Sequence, residues 1–213
     1  VSVAGDTRFD RVYEIAQQAK RLPEIERFAA DAPVFIAGST WPPDEELLVG
    51  LIERYPDVKF IVAPHEIDPA RIEKFCERIS RPALRYTQLT PQSDLAAAGV
   101  LFVDTIGILS SVYRYGRWGY IGGGFGAGIH NTLEAATFGL PLAFGPRYGK
   151  FREARDLVTL RGAASIASAE ELERWFAGLH DDPDATGRSG TICKEYVLQH
   201  KGATARIMDE ICR

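Results

Sequence analysis

The segment Gly119-Tyr-Ile-Gly-Gly-Gly-Phe-Gly-Ala-Gly-Ile-His-Asn-Thr-Leu-Glu-Ala-Ala-Thr-Phe-Gly-Leu-Pro141 carries the strongest fold signal in the chain. A strand ends at Ile121, and five glycines follow in the seven residues 122–128. A helix is expected from about Asn131 to Gly139, with an apolar stripe of Ile129, Leu133 and Ala136 at helical spacing. Pro141 then opens the next strand. Strand, glycine loop, helix and strand in that order form the repeating unit of a parallel sheet.

The same alternation extends in both directions. Short apolar runs at 34–37, 59–63, 83–87, 100–103, 118–122, 141–145 and 163–167 read as strands. Most are continuously apolar, as befits strands covered on both faces. Helices are expected over 43–55, 68–79 and 168–179. The first opens with Pro-Pro-Asp-Glu-Glu, placing proline and acids where a helix start favours them. A helix over 10–29 precedes the sheet and one over 190–212 follows it, with a polar turn at 181–190. The fold class is α/β, a doubly wound, Rossmann-like parallel sheet with helices on both faces. In such sheets ligands sit at the carboxyl ends of the strands.

Glycines let backbone N–H groups approach a ligand closely, and a helix start adds a positive dipole. The loop is therefore a candidate site for phosphate or carboxylate, although glycine loops also serve merely to turn a chain. The dinucleotide pattern GxGxxG fails because residue 127 is Ala, and the loop follows a late strand. Gly145-Pro-Arg-Tyr-Gly-Lys-Phe151 lacks P-loop spacing and ends in Phe. Asn131 and Glu134 have two readings. They form a near capping box, or Glu134 offers two acceptor oxygens to a ribose diol.

With 213 residues, 46% hydrophobic and 25% charged, the chain supports one large α/β domain or two small ones. A net charge of −4 with no basic cluster argues against a nucleic-acid binder. Cysteines 76, 193 and 212 are too far apart for a CxxC motif and read as buried or idle thiols. No apolar run is long enough to span a membrane, so the domain is expected to be soluble. The opening Val-Ser-Val-Ala-Gly-Asp reads like the interior of a longer protein.

Asp104-Thr-Ile-Gly107, the 122–128 loop, His130-Asn131-x-x-Glu134-Ala-Ala and Gly145-Pro with Phe151 resemble the C-terminal half of Kdo transferases. Ala37-Gly-Ser-Thr40, Ala63-Pro-His65 and Gly5-Asp-Thr-Arg-Phe-Asp10 match further family segments in the correct order, across nearly the whole chain. Ile108, Lys150 and Pro64 stand where the family often has Glu, Asn and Arg.

That resemblance implies the C-terminal half of a GT-B glycosyltransferase, which moves Kdo from CMP-Kdo to a lipid A precursor. It implies a linker and leading helix over 1–30, a donor-nucleotide core over 31–185 and a C-terminal helix over 186–213. The acceptor domain, N-terminal in the family, would be absent from this chain. Gly123, Gly124 and Phe125 would line the donor phosphate, and Asn131 and Glu134 the ribose or sugar. Ser39, Thr40, His65, Gly107 and His130 would complete the donor site. The general base would come from the N-terminal domain, so this half alone would bind donor without turnover. No cofactor or metal is implied, and Asp181-Asp-Pro-Asp184 reads as a solvated loop. The full-length protein would work at the cytoplasmic face of the bacterial inner membrane.

His65 and His130 read either as phosphate ligands or as ordinary hydrogen-bonding loop residues. Arg147 and Lys150 read either as donor-facing charges or as surface bases. Two rival readings remain: another GT-B enzyme, such as a UDP-sugar transferase or an epimerase, and a non-catalytic nucleotide-binding domain on the same scaffold.

Overall fold

The structure is a computed structural model that describes residues 5–211; the expected chain start at 1–4 and Cys212 lie outside them. Its strands are β1 Val34–Thr40, β2 Lys59–Pro64, β3 Ala83–Arg85, β4 Val100–Phe102, β5 Trp118–Ile121, β6 Leu142–Phe144 and β7 Ala163–Ser165. All neighbouring pairs are parallel, in the order β3-β4-β2-β1-β5-β6-β7. Each expected strand is present. Most are a residue or two shorter at the ends, and the third passes into a 3-10 turn at Tyr86–Gln88.

The helices are α1 Thr7–Gln17, α2 Pro23–Phe28, α3 Pro42–Arg54, α4 Pro69–Cys76, α5 Leu109–Val112, α6 Leu133–Thr137, α7 Arg152–Leu160, α8 Ala169–His180, α9 Pro183–His200 and α10 Ala203–Ile211. Side-chain alternation along β1 divides the core. Val34 and Ile36 join a cluster beneath α1, α2, α6, α7 and α9, while Phe35 and Ala37 join another beneath α3, α4 and α8. Each large apolar side chain buried this way contributes about 1.5–3 kcal/mol.

Three expectations need correction. The leading helix is broken in two, because Pro23 has no N–H to continue a helix and instead opens α2. The trailing helix breaks at Gly202, whose φ of +100° ends the run, and Asp10 then holds Thr204 through its N–H and hydroxyl at 2.9 Å each. The expected polar turn at 181–190 is largely helix: Asp182 accepts from the Ala185 N–H at 2.9 Å and Pro183 occupies the first turn of α9. Helices α5 and α7 have no counterpart in the sequence reading.

The terminal helices belong to the same core as the sheet. Phe9 and Val12 of α1 cluster with Tyr196 and Val197 of α9 and with β6 side chains. Buried Lys59 ties α2 to the loop before β4, donating to the carbonyls of Phe28 and Leu95 at 2.9 Å each. Cys76 and Cys193 are free thiols; burial pushes Cys193 up to about 12.

Candidate functional site

The strand order creates the site. From β1 the chain leaves toward β2, whereas β5 leads to β6 on the opposite side, so a crevice opens where the two directions part. The segment after β1 and the glycine loop after β5 form its walls. A cavity of about 370 Å³ lies there, lined by Trp41, Pro43, Phe125, Ala127 and His130 among others.

Asp44 holds the walls together. It is third in α3, where its carboxylate takes the Trp41 N–H at 2.9 Å in the manner of a capping box. The same carboxylate accepts from the Gly123 N–H at 2.9 Å and from the Tyr120 hydroxyl at 2.6 Å. Asp44 is only 1% exposed. From sequence Asp44 reads as a first-turn acid alone, and no local pattern betrays its partners across the crevice.

The glycine loop folds back on itself. The Gly123 carbonyl accepts from the N–H groups of Gly126 at 2.9 Å and Gly128 at 3.2 Å. From the β6 side, the Arg147 N–H donates to the Gly124 carbonyl at 2.9 Å and its guanidinium to the Gly126 carbonyl at 2.8 Å. Arg147 therefore braces the loop. The N–H groups of Gly124, Phe125 and Ala127 make no hydrogen bond among the described residues. Such a cluster of unspent donors suits an anion.

Beside the loop, three rings stack. Trp41 lies on His65 with centroids 4.7 Å apart, and His65 on His130 at 4.3 Å. The indole N–H of Trp41 also donates to Nε2 of His130 at 3.1 Å. Burial, with His65 beside it, pulls His130 below the usual histidine range, against an opposing pull from Asp44. Trp41 was not among the residues singled out from sequence.

Asn131 and Glu134 meet, though not as a capping box. The Asn131 side-chain oxygen accepts from the Leu133 N–H at 3.0 Å, and its amide donates to the Glu134 carboxylate at 3.1 Å. Thr132, not Asn131, is the cap residue of α6, which starts later than expected. Burial raises Glu134 above the usual carboxylate range, with Asn131 and Arg11 pulling the other way.

The remaining predicted residues are spread along the strand ends. Ser39 has a φ of +54° at the irregularity that ends the β1–β2 register, a strained conformation for a residue with a side chain. Thr40 is buried, and its hydroxyl donates to Glu45 at 3.0 Å. Gly107 lies in the loop after β4, with open space where a side chain would be.

Asp104 before Gly107 is another residue the sequence reading placed only within a motif. It is 5% exposed and accepts from Arg85 Nε at 2.9 Å, the Thr87 N–H at 2.8 Å and the Thr87 hydroxyl at 2.6 Å. Burial works to raise its carboxyl, yet these donors together hold it below the usual range. A depressed folded value means that the charge stabilises the fold above the unfolded carboxyl value, about 3.9, and that this contribution fades as pH falls through the folded value. Asp104→Asn is expected to cost about 3 kcal/mol in urea unfolding at pH 7, with the gap to wild type closing below pH ~4. A gap independent of pH would contradict the ion-pair account.

Among the described residues, no group of three His, Cys, Asp or Glu is placed to hold a metal ion, and no helix is long and apolar enough to cross a membrane.

No protein-family model matches the chain. It is 29% identical over 198 residues to the 3-deoxy-D-manno-octulosonic acid (Kdo) transferase of Rickettsia bellii, which covers 90% of this chain and 46% of that protein. The Kdo transferase of Chlamydophila psittaci is 25% identical over 182 residues, covering 84% of this chain and 41% of that protein. The chain thus spans less than half the length of these curated relatives. Among solved structures, the C-terminal CMP-Kdo binding domain of WaaA from Acinetobacter baumannii superposes with a TM-score of 0.71 at 22% identity, covering 89% of this chain and 99% of that domain. The fold is the GT-B C-terminal domain fold, and these two sequence relatives are Kdo transferases.

Proposed function

We propose that this homologue of the Kdo transferases is the donor-binding half of such an enzyme and holds CMP-Kdo in the crevice between β1 and β5. The observation that carries the reading is the set of unspent N–H groups at Gly124, Phe125 and Ala127, at the switch point of the sheet. The donor phosphate or the Kdo carboxylate fits those groups. Glu134, steadied by Asn131, offers its carboxylate to hydroxyls of the ribose or sugar. His130 lines the same cavity as a further donor, with His65 stacked on it, and Ser39 and Gly107 are placed with the donor site only by the family resemblance.

In the reaction the acceptor hydroxyl of a lipid A precursor attacks the anomeric carbon of Kdo as the bond to CMP breaks. The phosphate oxygen takes the released electron pair, and the hydroxyl proton passes to a general base. Asp44 is unsuited to that task because three donors already occupy its carboxylate. A base from a second, acceptor-binding domain across the crevice completes the enzyme, at the cytoplasmic face of the inner membrane in lipopolysaccharide synthesis.

Calorimetric titration with CMP, UDP and NAD tests the donor assignment. CMP is expected to bind selectively, and Glu134→Gln, which keeps the side-chain shape, to weaken it about tenfold or more. Selective UDP binding would move the chain to another class of GT-B enzyme. Failure to bind any of the three would remove the donor-site reading.

A further inference from the structure

Among the described residues the His130 side chain makes one hydrogen bond, with the indole of Trp41. An indole N–H can only donate. The contact at 3.1 Å therefore requires a lone pair on Nε2 of His130, so a neutral ring must carry its proton on Nδ1. It is also the less favoured form of a free imidazole, so something must select it.

Trp41 is well anchored for that purpose. Its backbone N–H is held by Asp44, the carboxylate that also holds Gly123, and its ring lies on His65, which lies on His130. The rings are within 26° of parallel at both steps. The Nε2 edge of His130 faces Gly123, and Nδ1 has no hydrogen-bond partner among the described residues.

We propose that Trp41 is a positioning residue of the donor site, whose indole N–H fixes His130 as the Nδ1–H tautomer and so sets which ring nitrogen donates to the bound anion. The functional half of this statement rests on the donor-site reading; the tautomer does not. Protonation at Nε2 and the Trp41 bond exclude each other, since two N–H groups would then face one another. The titratable groups facing His130 are His65, on the loop after β2, and Asp44, on α3. Burial and His65 favour the neutral ring, in the same direction as Trp41, and Asp44 opposes them.

The test is long-range proton–nitrogen NMR on protein labelled with ¹⁵N-histidine, with the four histidines assigned by single His→Gln changes. Wild type is expected to show His130 as the Nδ1–H form at pH 7.5. Trp41→Phe, which keeps a stacking ring but no donor, should return His130 toward the Nε2–H form and raise the pH at which it titrates. CMP affinity should fall about three- to tenfold. Wild-type His130 in the Nε2–H form would overturn the proposal, with no variant needed. So would an unchanged tautomer in Trp41→Phe. If the tautomer behaves as expected while no nucleotide binds, the positioning stands and the donor reading alone is lost.

Discussion

Asp44→Ala is expected to lower the stability of the chain by about 4 kcal/mol and to abolish measurable nucleotide binding. Three donors converge on that carboxylate: the Tyr120 hydroxyl and the N–H groups of Trp41 and Gly123. Truncation leaves the Tyr120 hydroxyl and the Gly123 N–H unsatisfied in a buried place and the Trp41 N–H in a part-buried one, and an unsatisfied buried donor costs about 1–3 kcal/mol. Against a total of about 5–15 kcal/mol for an ordinary domain, that is a large share. Asp44→Asn should be intermediate, since an amide has one acceptor oxygen and turns its NH₂ toward remaining donors. Urea unfolding gives the stability change. Hydrogen exchange at the Gly123 amide gives its cause, for that N–H should lose protection in the variant. A loss below about 1 kcal/mol, with Gly123 still protected, would show that the carboxylate does not hold the loop.

Gly123→Ala should be nearly as damaging, by a different route. Gly123 has a φ of +93°, a conformation that side chains rarely adopt, and an added Cβ would stand 2.4 Å from the Gly128 carbonyl oxygen. That oxygen belongs to the backbone of the same loop and cannot swing away as a side chain would. A cost of about 3 kcal/mol is expected, with CMP binding weakened at least tenfold as the loop opens. Gly126→Ala provides the control three residues on. Its Cβ would meet only the Gly123 carbonyl oxygen, at an ordinary 3.6 Å, so stability should stay within about 0.5 kcal/mol of wild type. Equal effects at the two positions would mean that loop sequence, not loop shape, governs the site.

Much of the fold could be read along the chain because its signals are local. Seven apolar runs gave seven strands, since a strand buried on both faces must be apolar throughout. The start of helix α9, residues 183–189, is hidden for an equally local reason, whereas its remainder falls within the helix expected over 190–212. Its buried face consists partly of Thr186, Gly190 and Cys193, so the apolar period is faint. Gly190 packs so closely that a Cβ there would stand 2.3 Å from the Gly139 carbonyl oxygen. Small residues that let a helix sit tightly are the ones that hide it from hydropathy. The start signal was present in Asp182-Pro183-Asp184, a cap residue followed by a first-turn proline, and was outweighed by its polarity.

The candidate site divides in the same way. Its glycine loop, with Asn131 and Glu134 behind it, was legible because those residues adjoin one another in sequence. Trp41 and Asp44 were not, because what they do depends on partners 76 to 89 positions away. By itself the sequence determined a parallel α/β domain with an anion-friendly loop, since apolar runs, caps and glycines act through neighbours along the chain. Only the tertiary structure decided that β1 lies beside β5. That adjacency places one buried carboxylate between two distant loops and sets an indole N–H against a histidine, and no local preference encodes either contact.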